Sequence, residues 1–321
     1  MLVRQPRIED VNLSLFEFDL DLTFMVFFLN AEEQLYGRYG GRDATDPDSR
    51  QSLAGLRYSM QAALQAHREQ VVPQSLQPQR KPDFIWQYPA AEFTVGCVHC
   101  HEAKEIMNDE LKEQGKWSRD RVWRYPVPDN LGLRLELDRG NIVESVAADS
   151  PAAQLGLMPG DVVVEMASLP IHSFGDAQFA LDHAPQTGEL EVVWQRGNQQ
   201  LNGQLALPEG WRKSDITWRS SMLTMVAHAR VNGEDLTAEE KQVHGLLPSQ
   251  LAFRQKSPVT RAAQAAGIRA EDIILGFDGL KLKMDAYDFH GYVSANYLAG
   301  DGVVIDLIRD GKELHLPMTL P

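Results

Sequence analysis

The stretch that decides the fold of the second half of the chain reads Ser150-Pro151-Ala152-Ala153-Gln154-Leu155-Gly156-Leu157-Met158-Pro159-Gly160-Asp161-Val162-Val163. Its first residues place small and apolar side chains on one helical face, and Gly156 is suited to end that helix. Pro159-Gly160-Asp161 is a turn sequence, and Val162 begins an apolar run typical of a buried strand. The stretch therefore predicts a short helix, a tight turn and a core strand.

The same pattern occurs a second time, which predicts two copies of one module. Gly267 follows Gly156, and Asp272 follows Asp161, at the same interval of 111 residues. Each copy also ends in an apolar strand that runs into a basic residue and a turn. We expect the modules at 126–211 and 245–321.

The first copy resembles the signature of bacterial PDZ domains. That resemblance implies that backbone N–H groups of a loop bind the carboxylate of a partner's C-terminus, which then pairs as an extra strand. The matching loop is Leu131, Gly132 and Leu133, and the helix that carries Phe179 would form the other wall of the groove. The alternation of leucines after Gly132 also fits a half-buried strand without a usable groove.

The second copy departs from this pattern at its expected loop. Leu251-Ala252-Phe253 stands where the first copy has Leu-Gly-Leu. Because alanine adopts a positive φ only at a cost, we expect a degenerate, structural copy. Between the copies, 212–244 is predicted to be a packed connector with a capping box that joins Thr237 and Glu240.

The N-terminal region, 1–70, predicts a strand, a tight turn, a second strand and a helix. The first strand is the apolar run 22–29, the second is 34–39, and the helix ends near His67. This order resembles the C-terminal half of a thioredoxin fold. The half that would carry the redox cysteines is missing, so we hypothesise that more of the fold is encoded upstream.

A Pro-rich linker leads into the segment Cys97-Val98-His99-Cys100-His101, and 71–125 is read as one linker and CxxCH region. This spacing is that of c-type haem attachment: Cys97 and Cys100 would form thioethers, and His101 would bind the iron as its metal ligand. Two alternatives are a thiol–disulfide site at a helix N-terminus and a structural or metal-binding segment. We expect haem c as the cofactor.

The order of the parts resembles a bacterial family of thioredoxin-like/PDZ domain (seleno)proteins. The segments that carry this resemblance are Arg38-Tyr39-Gly40-Gly41-Arg42-Asp43, Cys97–His101 and Gly210-Trp211-Arg212-Lys213. The resemblance implies a thioredoxin-type site upstream of Met1, and it indicates an architecture more than an activity. From the CxxCH motif and the PDZ-like module, we expect an exported, redox-associated protein that transfers electrons to a redox partner and binds a partner's C-terminus. The competing hypotheses are a non-catalytic interaction protein and a thiol–disulfide oxidoreductase.

Composition and missing motifs exclude several other classes. With 31 Lys and Arg against 45 Asp and Glu, the formal net charge is −14, which disfavours nucleic acid as a partner. The longest apolar run is too short to span a bilayer, and no signal peptide is visible. A periplasmic location is therefore expected only with an upstream extension. No Gly-Asn-Ser-Gly-Gly loop occurs, so a trypsin-like protease is not predicted.

The sequence as a whole predicts a multidomain α+β protein. Its expected parts are the C-terminal half of a thioredoxin-like fold (1–70), a linker and helical CxxCH segment (71–125), and two β-rich PDZ-like modules (126–211 and 245–321) joined by a connector (212–244).

Overall fold

The computed structural model describes residues 2–5, 7–71, 81–89 and 98–321. The chain divides into two compact units, and the first unit ends at Ser214. Among the described residues, no helix combines the length and the apolar character needed to cross a lipid bilayer.

The first unit begins with a small hairpin and two helices. These elements are β1 (Val26–Leu29), β2 (Leu35–Tyr39), α1 (Leu53–Arg68) and α2 (Cys100–Glu113). The two strands pair antiparallel as a sheet of their own, with Val26 opposite Tyr39. Ser52 caps α1, because its side chain accepts a hydrogen bond from the Gly55 N–H at 2.9 Å. The predicted strand–strand–helix order is confirmed, although β1 is only the last half of the predicted 22–29 run.

The remainder of the first unit is a β-rich module with two short helices. Its elements are β3 (Leu133–Leu135), β4 (Val143–Val146), α3 (Pro151–Leu155), β5 (Val162–Met166), β6 (Leu169–Pro170), α4 (Phe174–Asp182), β7 (Gly188–Arg196) and β8 (Gln199–Leu207). β3 pairs with β4, and the second sheet has the order β6-β5-β7-β8. Gly156 ends α3 with φ +89°, so the predicted helix stop is confirmed.

The core of this module is built from the alternating apolar faces of its strands and the inner face of α4. Val163, Val192 and Leu205 of the four-stranded sheet and Leu181 of α4 have no exposed surface. Burying an aliphatic side chain of this size stabilises a fold by about 1.5–3 kcal/mol. The strands and α4 are thereby held in fixed positions around the β3 edge.

The second unit, considered by itself, is a five-stranded sheet with helices. Its elements are β9 (Gly233–Asp235), α5 (Ala238–Val243), β10 (Phe253–Gln255), α6 (Arg261–Ala265), β11 (Ile273–Phe277), α7 (Ala286–Asn296), β12 (Gly302–Arg309) and β13 (Lys312–Thr319). The strand order is β13-β12-β11-β10-β9. The predicted capping box of Thr237 and Glu240 is confirmed at the start of α5. The expected connector contributes β9 to the sheet.

The repeat extends from sequence to side-chain contacts. In the first unit Arg196 donates to both carboxylate oxygens of Asp161 at 2.8 and 2.7 Å, and also to the carbonyl of Gly156 at 2.7 Å. In the second unit Arg309 binds Asp272 in the same bidentate way, at 2.7 Å. Each pair ties the turn before a core strand to the end of the strand that pairs beside it.

We expect Asp161→Asn to weaken the first unit at neutral pH more than in acid. Burial alone would raise the pKa of Asp161, but the hydrogen bonds from Arg196 and from the Met158 N–H outweigh it and lower the pKa. A carboxyl group with a lowered pKa stabilises the fold above its unfolded pKa of about 3.9, and this stabilisation is lost as the pH falls through the folded pKa.

Urea unfolding at pH 7 and pH 3 measures this effect. Asp161→Asn should lower the free energy of unfolding by about 1.5 kcal/mol at pH 7, the lower end for hydrogen bonds to a charged group because Arg196 is partly exposed. The difference in the free energy of unfolding between the wild type and Asp161→Asn should be smaller at pH 3. Glu191→Gln, on the exposed face of β7, is the matched control. An equal loss at both pH values would contradict the role of the ionised carboxylate.

Candidate functional site

Gly132 adopts a backbone conformation and a position that only glycine fits. It lies between a 3-10 turn, Pro128–Leu131, and β3, with φ +75°. A Cβ atom there would lie 2.2 Å from the Cβ and Oγ atoms of Ser150. Ser150 cannot easily withdraw, because it caps α3 by accepting from the Ala153 N–H and donates to the Ala147 carbonyl. The loop predicted from Leu131, Gly132 and Leu133 is thus closely packed.

β3 presents one paired edge and one edge without a strand partner among the described residues. The Ala147 N–H donates to the Gly132 carbonyl, and the Glu136 N–H donates to the Ile142 carbonyl. Because hydrogen bonds alternate along an antiparallel strand, Leu133 and Leu135 direct their N–H and C=O groups away from β4. Their side chains are buried in the module core. An extended peptide could add to this edge.

α4, the predicted helical wall, is buried along its whole length. Phe179 is only 7% exposed, and the guanidinium carbon of Arg38, from β2, lies 3.4 Å from the centre of its ring. The Arg38 N–H also donates to Asp176 at 2.8 Å, while the Ser173 hydroxyl donates to the Arg38 carbonyl. The structure therefore places Phe179 under the N-terminal hairpin.

Arg50 spans the two walls that the sequence predicts for the groove. Its guanidinium donates to Asp43 at 2.9 Å and to both carboxylate oxygens of Asp129 at 3.0 and 2.9 Å, and its carbon lies 4.8 Å from the centre of the Phe174 ring. Asp129 belongs to the turn before Gly132, and Phe174 begins α4. We call residues 39–50 the strap, because they lie against the opening between β3 and α4.

A second group of charges lies at the C-terminal end of α4. Arg124 donates to Asp182 through two nitrogens and to Glu17 at 3.3 Å, and the Tyr125 N–H donates to Asp182 at 2.7 Å. Burial alone would raise the pKa of Asp182, but these hydrogen bonds outweigh it and lower the pKa. Burial alone would lower the pKa of His183, but its hydrogen bond with Glu17 raises it.

Glu17, Asp182 and His183 could also bring three ligand atoms within 4.8 Å of one another. Arg124 already supplies the positive charge at this cluster. The arrangement is therefore an internally paired network, and we assign it no metal.

Cys100 and His101 lie in the first turn of α2, in the helix predicted after the CxxCH segment, and Cys97 lies outside the described residues. Cys100 is a half-buried free thiol that packs against the cluster of Ile8, Leu13 and Ile85, and burial raises its pKa. His101 is partly exposed, with Nδ1 3.9 Å from Glu105. A raised pKa disfavours the thiolate that redox chemistry needs.

The strands of the second unit correspond to those of the first unit in a different way from the one that the sequence predicts. β10 lies beside β11 with Arg254 opposite Ile273, which is the position that Ile142 takes opposite Val162 in the first unit. β10 therefore corresponds to the chain around β4, and β9, which pairs with β10, corresponds to β3.

The predicted match of Leu251-Ala252-Phe253 to the loop of the first copy is consequently wrong. The residue with positive φ before β9 is Arg230, at +54°. The insertion that carries α5 displaced the counterpart of β3 toward the N-terminus. Gly233 of β9 lies so close to β10 that a Cβ atom there would lie 2.0 Å from the Arg254 carbonyl oxygen.

Residues 142–196 match the PDZ domain family. This match covers the chain from the start of β4 to the end of β7. A mixed α/β fold that contains a PDZ domain is therefore established for this part of the chain.

Two curated relatives share sequence with the chain. The probable periplasmic serine endoprotease DegP-like of Rickettsia conorii is 26% identical over 160 residues, which are 49% of this chain and 30% of the relative. The periplasmic serine endoprotease DegP of Salmonella typhimurium is 38% identical over 64 residues, which are 20% of this chain and 13% of the relative. The chain thus spans less than a third of the length of either relative.

A solved structure, the HtrA-type protease AlgW with tripeptide, is 18% identical and covers 52% of this chain and 55% of its own, with a TM-score of 0.27. That TM-score is too low to indicate a shared overall arrangement.

These findings correct the redox interpretation. The expected membership of a thioredoxin-like/PDZ (seleno)protein family is wrong, because the similarity is to PDZ domains and serine endoproteases. Within the part of the chain that the structure describes, the hairpin packs on α4 and does not extend a larger sheet. The expectations of haem c on Cys97, Cys100 and His101, of electron transfer and of a redox partner are wrong on the same findings. These expectations had been based on the CxxCH spacing in the sequence.

We expect Gly132→Ala to damage the loop more than backbone strain alone would. Gly197, in the hairpin turn between β7 and β8, has φ +59° and open space around its Cα, so Gly197→Ala is the matched control. Each substitution places an alanine in the left-handed backbone conformation, which costs about 1–2 kcal/mol. Gly132→Ala must also displace Ser150, so its urea midpoint should fall further. Equal midpoints would contradict the steric role of Gly132.

Proposed function

We propose that the protein binds the C-termini of peptides or proteins through the PDZ-like module of its first unit. The observation that carries this proposal is the free edge of β3, which begins at the left-handed Gly132. The match of the adjoining residues, 142–196, to the PDZ family supports it, because domains of this kind bind an extended peptide at an exposed sheet edge.

The proposed binding mode is strand addition. The peptide runs antiparallel to β3 and pairs with the outward N–H and C=O groups of Leu133 and Leu135. Its carboxylate lies at the loop of Leu131 and Gly132, where backbone N–H groups are the donors. Phe179 forms part of the apolar wall behind the groove, since it lies in the same core cluster as Leu131 and Leu133.

The strap is proposed to compete with the peptide. The Gly132 N–H donates to the Asp129 carbonyl at 2.9 Å, and the Asp129 carboxylate is held by Arg50. Gly41 also lies against Phe174, so closely that a Cβ atom would come within 2.4 Å of the ring. Binding therefore requires residues 39–50 to move away from the groove, and the closed arrangement lowers the apparent affinity.

The proposed location is the periplasm. The two curated relatives are named as periplasmic proteins. The net charge of −14 fits protein partners and not a polyanion.

A decapeptide that ends in three apolar residues tests the proposal when compared with its C-terminally amidated form. The free acid should bind about tenfold or more tightly, since the amide loses charge-assisted hydrogen bonds to the loop. Fluorescence anisotropy of a labelled peptide with the full chain measures both affinities. Gly132→Ala should abolish the difference. Equal binding of acid and amide by the wild-type chain would contradict recognition of a carboxylate.

Arg50→Ala should strengthen binding of the same peptide. Removing the guanidinium releases Asp129 and Phe174 from the strap, so a larger fraction of the protein has the strap open. We therefore expect the affinity for the peptide to increase about fivefold. Arg57→Ala, an exposed arginine on α1, is the matched control and should leave the affinity unchanged. A weaker or unchanged affinity for Arg50→Ala would show that the strap does not obstruct the groove.

A further inference from the structure

A cavity of the first unit lies away from the β3 edge and has no role in the proposed function. Its volume is about 860 Å³, within the range of small-molecule sites. It is enclosed by the N-terminal segment 13–20, residues 81–87, α2, and the chain that enters and leaves the PDZ-like module near Arg121 and His183.

Much of the lining is apolar. Leu13, Phe16, Phe18, Leu20 and Met107 all face the cavity, and Leu13 and Leu20 are each only 8% exposed. Such a lining stabilises the apolar body of a ligand by removing its surface from water.

Two hydrogen-bond donors in the lining have no partner among the described residues. Asn108, on α2, is only 4% exposed, and its side-chain Nδ2 makes no hydrogen bond. The Nε of Arg121 is likewise buried and without a partner. Burial lowers the pKa of Arg121, yet a guanidinium remains charged in proteins. A buried donor without an acceptor is costly, so Asn108 and Arg121 are the lining residues suited to donate to a bound acceptor.

Several of the other charges at the cavity are paired within the protein. Lys104 donates to Asp21 at 2.6 Å and lies 3.5 Å from Asp19. Arg124 holds Asp182 and Glu17. These four carboxylates are thus ion-paired, while Asp83 accepts a hydrogen bond from the Tyr88 hydroxyl at 3.0 Å and Lys81 also lines the cavity. Within the described residues, the Nε of Arg121 is a buried lining donor without an acceptor.

We propose that this cavity binds a small carboxylate with an apolar body, with its carboxylate on Arg121 and Asn108 and its apolar part against the leucine, phenylalanine and methionine side chains. A carboxylate accepts from both donors at once. A medium-chain fatty acid and a short apolar peptide with a free C-terminus both combine a carboxylate with an apolar body. This site is separate from the β3 edge and does not depend on the proposed function.

Isothermal titration calorimetry of the full chain with sodium decanoate, below its micelle concentration, tests the proposal, and decanol is the uncharged control. An N-acetylated tripeptide of apolar residues and its amide test the second source. We expect at least one carboxylate to bind, with decanol or the amide binding more weakly. Arg121→Gln should weaken that binding about tenfold or more, and Asn108→Ala should weaken it as well.

Arg119→Gln is the matched control, because Arg119 is exposed and lies over the Trp123 ring outside the cavity lining. It should leave the affinity unchanged, and urea unfolding verifies that each variant is folded. Met107→Trp, which fills part of the cavity, should also weaken binding of the carboxylate. The proposal is overturned if neither carboxylate binds, or if Arg121→Gln binds as well as the wild type. Tripeptide binding that is lost in Gly132→Ala and retained in Arg121→Gln would place the peptide at β3 and contradict this site for it.

Discussion

The close approach of Gly132 to Ser150 is the constraint on which the groove of the first unit depends. A side chain on Gly132 would meet Ser150 at 2.2 Å, and Ser150 is fixed because it caps α3. The left-handed turn at Gly132 starts β3 and directs Leu133 and Leu135 to its outer edge. Below this edge, the Asp161–Arg196 pair closes the turn that leads into β5. Steric fit and one ion pair therefore fix the frame of the proposed binding edge.

The N-terminal hairpin and strap make the surroundings of this edge unusual. Two arginines that precede α4 by more than 100 residues in the chain lie over its aromatic rings: Arg38 lies on Phe179 and Arg50 on Phe174. A guanidinium over an aromatic face contributes about 0.5–2 kcal/mol, and the ion pair of Arg50 with Asp129 adds to it. Contacts of this size fit the proposal that a bound peptide displaces the strap.

The local structure around 150–163 was predictable, because the helix stop at Gly156 and the strand after Asp161 depend on neighbouring residues. The CxxCH spacing and the hairpin followed by a helix were equally local but misleading, since neither specifies what packs against it. The loop residues Leu131 to Leu133 were predicted from the PDZ signature, and their role in binding remains a proposal. The cover over Phe179 was not predicted, because Arg38 and Asp176 meet from distant parts of the chain. The counterpart of β3 in the second unit was missed because an insertion with α5 broke the 111-residue interval.

Amide hydrogen exchange of the first unit within the full chain tests the central claim most directly. Exchange at Leu133 and Leu135 should slow when a peptide with a free C-terminal carboxylate is added, because these N–H groups then donate to the added strand. The amides of Arg134 and Glu136, which lie on the side of β4, should change little. Binding without protection at Leu133 and Leu135, or with equal protection by the amidated peptide, would contradict strand addition at this edge.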